Sequence, residues 1–444
     1  MTKKKMSFWQ MFNLNFGFLG IQFGWALQMA NMSGIYKFLG ADNANMGYLW
    51  LAAPLSGMLI QPILGQISDK TWTRIGRRRP YILLGAGLST LALILMPNST
   101  SLWFAAILLW VLDGSLNIAM QPYRALVADV APKSQHTICY TVQTCLVGVG
   151  STLAYVLPWV FIHVFNISAS STGLGVPLSL KLSFYIGAVV FFFTNIWTVF
   201  TSQEYPPDES ELCAGKKKYS CLTNALSDNA KSMWHDFRKM PKIMREIFVV
   251  QFFTWVGLFC VFLYLGIAIA QNIFGLPAGA DLTKTPALRS TLEQGIALGG
   301  ICSAIYTFVS IIYSALIPKL SDKITRKNTH AISLFLGAVG LLICVYATRD
   351  YHLFIGMIGL GAAWASIVTV PYAILAGSLP KQKMGLYMGL INIAICIPEI
   401  LAALTFGVIV GRFFHDHAMT VILMGAVMFM LAAISTVFVH DIEI

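Results

Sequence analysis

Asp113 lies near the middle and Arg124 toward one end of a long apolar run at residues 102–130. About 20 apolar residues span the hydrocarbon core of a bilayer, so both side chains are predicted to lie inside a membrane. The helical repeat places them on one face, about 16 Å apart along the axis, which is too far for a direct ion pair. A carboxylate at mid-membrane costs roughly 2.5–3.5 kcal/mol and usually faces a bundle interior or a water-filled path. Asp113 is therefore interpreted as a proton- or cation-coupling carboxylate; the alternative is a structural carboxyl that joins two helices.

A second carboxylate and several amide and aromatic side chains are predicted to share the membrane interior. Glu399 follows Pro398 in another apolar run, and Asn392 lies on the same helical face. Glu399 is interpreted as a substrate hydroxyl acceptor or a second protonation site; alternatively, it is a protonated acid bonded to backbone that Pro398 leaves open. Amides and guanidinium groups bind hydroxyl groups, and aromatic rings cover flat apolar faces. For the amides of the first helix, the alternative is bonding to neighbouring helices. The candidate substrate-binding residues are Gln22, Trp25, Gln28, Asp113, Asn117, Arg124, Trp364, Asn392 and Glu399.

The composition is that of a polytopic membrane protein. Of 444 residues, 57% are hydrophobic and 11% are charged, and the mean hydropathy is +0.70, whereas soluble proteins carry roughly 25% charged residues. The net charge of +11 comes from basic loops between apolar runs and does not indicate nucleic-acid binding. The eight cysteines show no metal-binding spacing, and the polar segments hold no nucleophile–base pair. No metal site, cofactor or enzymatic activity is therefore expected.

Twelve hydrophobic segments predict an all-α membrane protein with twelve transmembrane helices. The longest polar interruption divides the chain into an N-terminal six-helix bundle at 1–202, a cytoplasmic linker at 203–245 and a C-terminal six-helix bundle at 246–444. With both termini in the cytoplasm, 23 of the 30 lysines and arginines fall on the inner side, in agreement with the positive-inside rule. Glu293 is predicted to lie at the outer interface. The predicted spans are 9–36, 45–69, 80–97, 102–128, 139–165, 180–202, 246–274, 289–320, 329–347, 352–379, 384–411 and 416–439.

Two sequence echoes relate the halves of the chain. Residues 121–132 read QPYRALVADVAP and residues 370–380 read VPYAILAGSLP, while the tripeptide SDK at 68–70 recurs at 321–323. Both echoes have nearly the same offset along the chain and the same predicted membrane orientation. They predict two pseudo-symmetric bundles related by a parallel repeat, with a binding site between them at mid-membrane.

Residues 65–80 read GQISDKTWTRIGRRRP and resemble the glycine–aspartate–basic loop motif of the major facilitator superfamily. Residues 20–40, 110–129 and 389–398 resemble plant sucrose:proton symporters and their animal solute-carrier relatives, and residues 122–126 also resemble melibiose-type symporters of the glycoside–pentoside–hexuronide class. The resemblance implies the major facilitator fold and a sugar:proton symporter in which Asp113 is the protonatable carboxylate and Arg124 lies on the same pathway. Charged residues at the inner helix ends are predicted to form a cytoplasmic gate, made of Gly65, Asp69, Arg77, Arg78, Asp129, Asp322 and Arg326.

The expected function is secondary active transport, in which a proton and a sucrose-like or other glucoside disaccharide cross the membrane by alternating access. Sodium coupling or a non-sugar substrate is the alternative. Residues 265–272 lack the charges of the corresponding helix in the plant family, and Glu399 replaces its glutamine, so the resemblance leaves the substrate and the coupling stoichiometry open. Melibiose-type symporters usually gather several aspartates in helices two and four for the cation, and the second segment here has none within the membrane, so the resemblance favours the proton. Non-transporting sensors with this fold usually have an enlarged cytoplasmic domain, and the linker at 203–245 is too short to be one. The expected partners are a sugar and the lipid bilayer. The expected setting is a bacterial inner membrane, with the chain as a monomer.

Overall fold

The computed structural model describes residues 5–70, 72–132, 135–167, 175–202, 204, 240–378 and 384–440, and these form an almost entirely helical protein. Short 3₁₀ turns at Met96–Asn98 and Pro286–Leu288 precede two of the longer helices. In the described part of the chain the α-helices are α1 (Phe8–Phe38), α2 (Asn43–Leu49), α3 (Ala52–Lys70), α4 (Arg79–Leu95), α5 (Leu102–Val130), α6 (His136–His163), α7 (Leu178–Thr201), α8 (Lys242–Asn272), α9 (Arg289–Ile324), α10 (Arg326–Val345), α11 (Asp350–Ile367), α12 (Val370–Ser378), α13 (Met384–Phe413) and α14 (Met419–Val437).

The chain is a multi-pass membrane protein. Ten helical stretches in the described residues are long and apolar enough to cross a bilayer. Each of the twelve predicted spans falls on a helix, the second on α2 with α3 and the tenth on α11 with α12. The predicted spans on α1 and on α2 with α3 are not among these ten helical stretches, because polar residues lower their mean hydropathy. The twelve-helix count and the cytoplasmic position of the termini therefore stay predictions.

The helices pack mainly with others from the same half of the chain. In the first half α1 packs on α6 and α7, and α5 packs on α3 and α4; in the second half α8 packs on α9 and α14, and α10 packs on α11 and α14. Between the halves, α6 packs on α9, α13 packs on α2 and α3, and α1 packs on α8 and α9. The predicted domain limits fall at 202–246, which is largely outside the described residues, and so they stay predictions.

Two of the predicted continuous spans are interrupted. The second breaks at Trp50, between α2 and α3, and the tenth breaks at Val368 and Thr369, between α11 and α12. Pro371 has no backbone N–H to continue the ladder after α11, and the amide of Thr369 bonds Ser366 O in a tighter turn. The related Pro122 lies inside α5 without ending it. The two similar segments that contain a Pro-Tyr pair thus have different backbone structures.

Candidate functional site

Asp113 lies inside the first half of the protein, where α5 meets α1. Its side chain is 0% exposed, as is that of Gln28, and Gln28 Nε2 donates to Asp113 Oδ1 at 2.8 Å. Asp113 Oδ2 and Gln28 Oε1 are buried acceptors with no hydrogen-bond partner among the described residues. A buried polar group without a partner costs about 1–3 kcal/mol. The pair therefore has two acceptors that a proton or a ligand hydroxyl group could satisfy.

The side of α1 that carries Gln28 faces α5. Gln22 and Trp25 are half-buried, and Trp25 Nε1 is buried without a hydrogen-bond partner in the described structure. Asn31 donates to Leu27 O in its own helix, at 2.8 Å, rather than to a neighbouring helix. The contact between Gln28 and Asp113 places Gln28 on the side of α1 that faces the interior.

Asn117 continues the polar face of α5 one turn after Asp113. It is 0% exposed, its Nδ2 donates to Ser56 Oγ at 3.2 Å, and its Oδ1 accepts from Gln61 Nε2 at 2.7 Å. These bonds join α5 to α3. Ser56 and Gln61 are not among the residues predicted from the sequence, although an amide in the middle of an apolar segment is a usable signal for Gln61.

Arg124 lies farther along the same face and does not contact Asp113. Its side chain is exposed, and the hydroxyl groups of Tyr140 and Tyr372 lie within electrostatic range of its guanidinium group. Tyr372 comes from α12, in the second half of the chain. Arg124 is therefore placed where the two halves face each other.

Glu399 and Asn392 lie on α13, the helix of the second half that packs against α2 and α3. Both side chains are half-buried, and Asp113 lies within electrostatic range of Glu399. Cys396, one turn before Glu399, faces α3, since a Cβ built on Gly57 would lie 4.0 Å from Cys396 Sγ. The two predicted intramembrane carboxyl groups are thus near each other, one from each half.

Aromatic rings line the second half of the interior. The Trp364 ring lies 6.2 Å from Trp255, 6.1 Å from Phe262 and 6.1 Å from Tyr306, centroid to centroid. The Tyr306 and Tyr155 hydroxyl groups approach to 3.3 Å across the halves. Next to them is a cavity of about 20 Å³, which is large enough for one water molecule but too small for a sugar ring. This cavity therefore leaves no room for a sugar beside Tyr155 and Tyr306.

Comparison with known proteins identifies the architecture. The model of the Major Facilitator Superfamily matches residues 14–403 and 285–443. The chain belongs to the Major Facilitator Superfamily. Among curated relatives, it is 25% identical to sucrose transport protein SUT5 of Oryza sativa subsp. indica, over 89% of this chain and 81% of the relative. It is 26% identical to sucrose transport protein SUC4 of Arabidopsis thaliana, over 87% and 81%.

Solved structures of the superfamily share the fold at low sequence identity. The nucleoside transporter NupG superposes with a TM-score of 0.66 and 13% identity, over 97% of this chain and 100% of that one. The xylose transporter XylE from E. coli, in an inward-open conformation, gives a TM-score of 0.63 and 15% identity, over 96% and 95%. The major facilitator fold expected from the motif at 65–80 is confirmed.

At the predicted outer end, hydrogen bonds join the two halves of the protein. Asn43 Nδ2 donates to Asp416 O at 3.0 Å, and Tyr264 Oη donates to Asn43 O at 3.0 Å. These bonds join α2 of the first half to α8 and to the loop before α14. Nearby, α2 and α13 approach backbone to backbone at Gly47 and Gly407.

Glu293 belongs to this outer closure. It lies near the predicted outer end of its helix, but its side chain is buried, with 1% exposed, and does not lie at the predicted outer interface of the membrane. Ser179 Oγ, at the start of α7, donates to Glu293 Oε1. One turn earlier, the Arg289 guanidinium donates to Gly175 O and lies 5.0 Å from the Phe38 ring centroid. Packing of the two halves buries Glu293, and the position of the residue within its own helix could not reveal this.

The predicted cytoplasmic-gate residues form contacts within each half. Arg78 Nε lies 3.0 Å from Asp129 Oδ2, and its Nη1 donates to Ser68 Oγ at 2.7 Å, so α3, α4 and α5 are joined. Arg326 Nη1 donates to Ala373 O at 3.1 Å, and Asp322 is exposed. The surroundings of Gly65 and Asp69 lie outside the described structure. The role of this set in closing the inner end stays a prediction.

Glu204 contributes to the same region, although the sequence analysis did not identify it. Its carboxylate accepts from the backbone N–H of Arg77 at 2.6 Å, of Arg78 at 3.0 Å and of Arg79 at 3.0 Å. Free N–H groups at a helix N-terminus favour an anionic acceptor. Glu204 therefore caps α4 from a segment that follows α7, and no local spacing rule would link the two.

Replacing Glu204 by alanine is expected to lower stability by about 1–2 kcal/mol, because the start of α4 loses a charged cap. The measurement is thermal unfolding of the purified protein in detergent. Asp42→Asn is the matched control, since Asp42 precedes α2 without a side-chain cap bond. An unchanged melting temperature for Glu204→Ala would contradict the capping role.

Proposed function

We propose that this chain is a proton-coupled symporter of a disaccharide, which moves proton and sugar together by alternating access, with Asp113 as the protonation site. The similarity to sucrose transport proteins supports the sugar. The observation that carries the proton is the buried Asp113 carboxyl group, whose Oδ2 has no partner among the described residues. The bacterial inner membrane and the monomeric state expected from the sequence stay predictions.

The coupling follows from the cost of burying charge. An ionised carboxylate enclosed without enough donors is expensive, whereas a protonated one is not. In the proposed cycle, Asp113 takes up a proton and a sugar while open to the outside. The neutral acid can then be enclosed, with Gln28 Nε2 bonded to Oδ1 at 2.8 Å. Opening to the cytoplasm rehydrates the carboxyl group and releases both ligands.

Glu399 is the second carboxyl group in the proposed cycle. It lies on α13 in the opposite half, within electrostatic range of Asp113, so a negative charge on one carboxyl group disfavours a charge on the other. When the halves separate, this interaction weakens. Glu399 therefore links the protonation of Asp113 to the distance between α13 and α5, and its oxygen atoms also suit substrate hydroxyl groups.

The available driving force is sufficient for concentration of the sugar. Each proton that crosses the membrane contributes about 2.3 kcal/mol per 100 mV, which corresponds to roughly fifty-fold accumulation at equilibrium. A sodium ion would contribute the same energy. The two coupling ions therefore have to be separated by experiment.

The test is uptake of labelled disaccharides into proteoliposomes, with the pH gradient and the cation varied separately. We expect accumulation of a disaccharide when the lumen is alkaline, and a change of less than about twofold when external sodium is replaced by choline. A strict sodium requirement would contradict proton coupling. Absence of uptake for every disaccharide tested would contradict the sugar assignment.

A further inference from the structure

Polar side chains continue beyond Asp113 toward the predicted cytoplasmic end of α5. Asn117 and Gln121 follow Asp113 at successive helical turns. Gln121 Nε2 donates to Gln61 Oε1 at 2.9 Å, and Gln61 Nε2 donates to Asn117 Oδ1 at 2.7 Å. The amides of α3 and α5 thus form one chain of hydrogen bonds that starts beside the coupling carboxyl group.

The two ends of this chain differ in accessibility. Asp113 and Asn117 are 0% exposed, whereas Gln61 and Gln121 are half-buried and Arg124 is exposed. The polar groups nearest to the predicted cytoplasm are therefore open to a space that the groups around Asp113 do not reach. A ligand could contact the glutamines and Arg124 while Asp113 remains enclosed.

Arg124 lies where the first half approaches the second. The hydroxyl groups of Tyr372 on α12 and of Tyr140 on α6 are within electrostatic range of its guanidinium group. Among the described residues, no carboxylate forms an ion pair with Arg124. A guanidinium group within a membrane helix is costly and usually faces a protein interior or a water-filled path, and without an acidic partner its donors are available to a ligand.

The length of this row of polar side chains and their hydrogen-bonding groups suit a second sugar ring. Gln121 lies two helical turns beyond Asp113, about 12 Å along the axis, which is comparable with two linked pyranose rings. Amide groups both donate and accept, and the guanidinium group donates, so together they match the mixed hydrogen bonding of ring hydroxyl groups.

We propose that Gln61, Gln121 and Arg124 form an inner subsite that binds the hydroxyl groups of the second ring of a disaccharide, while Gln28 and Asp113 bind the first ring. This inference rests on the proposed sugar transport and adds a basis for selecting disaccharides over single-ring glycosides. The inner subsite lies on α3 and α5, on the side where Arg124 comes within electrostatic range of Tyr372 of the second half.

The test compares two ligands on purified protein by isothermal titration calorimetry: a transported disaccharide and the methyl glycoside of its first ring. Gln61→Leu and Gln121→Leu keep the volume of the side chain and remove its hydrogen bonds. Each is expected to weaken disaccharide binding about tenfold and to change single-ring binding less than about twofold. Because Gln121 bonds only Gln61 among the described residues, Gln121→Leu leaves the bonds of Asn117 to Gln61 and Ser56 in place.

Gln294→Leu serves as the control, since Gln294 is exposed on α9, and it should alter neither affinity. Equal losses for both ligands would indicate a structural effect and overturn the inner subsite, as would unchanged disaccharide affinity. A wild-type chain that binds neither ligand would instead contradict the proposed function, so the two failures can be told apart.

Discussion

Asp113→Asn is expected to abolish sugar accumulation driven by a pH gradient while leaving expression and thermal stability close to those of the wild type. Asparagine has the same shape and still offers an oxygen to Gln28, which now donates to Asp113 Oδ1 at 2.8 Å. It cannot take up or release a proton, so the closed carrier no longer depends on the proton gradient. Exchange of labelled for unlabelled sugar should persist, because a neutral side chain at position 113 can be enclosed.

The size of this effect is the whole accumulation ratio, a fall from roughly fifty-fold at 100 mV to unity. The measurement is the steady-state ratio of internal to external sugar in proteoliposomes with an imposed gradient. Glu399→Gln is measured in parallel as the matched amide substitution. If accumulation survives in Asp113→Asn and is lost in Glu399→Gln, the protonation site is Glu399 and the proposed assignment is wrong.

The sequence predicts the elements of this site better than their pairing. The length and apolarity of 102–130 predict a membrane helix, and helical spacing places Asp113, Asn117 and Arg124 on one side of it. Those inferences depend on local geometry. The contact of Gln28 with Asp113 depends on the rotation and depth of α1 relative to α5, which large packed surfaces set and which no residue spacing encodes.

The same limit explains the breaks in helices and the missed residues. The segments on both sides of Trp50 and of Val368 are predominantly apolar, so hydrophobic periodicity does not mark where either helix is interrupted. Pro122 and Pro371 occupy related sequences, yet only the second follows a helix end, because neighbouring helices decide whether a missing N–H is tolerated. The amide of Gln61 within an apolar run indicates a polar contact, but its partners Asn117 and Gln121 follow only from the packing of α3 on α5.

Closure of the outer end depends on the absence of two side chains. A Cβ built on Gly47 would lie 1.9 Å from Ala403 O, and one on Gly407 would lie 1.9 Å from Ala44 O. Small residues allow helix backbones to approach closely in membranes. A methyl group at either position cannot be accommodated without moving α2 away from α13, since both obstacles are backbone atoms.

Gly47→Ala is therefore expected to favour the outward-open state and to reduce net sugar uptake at least about tenfold. In a background without the eight native cysteines, Ala403→Cys reports the separation, because Ala403 is 1% exposed. A membrane-impermeant maleimide added outside should label this cysteine faster in the Gly47→Ala protein. Gly87→Ala is the matched control, since nothing lies within 4 Å of a Cβ built there. Normal uptake with slow labelling in Gly47→Ala would show that the contact between α2 and α13 does not close the outer end.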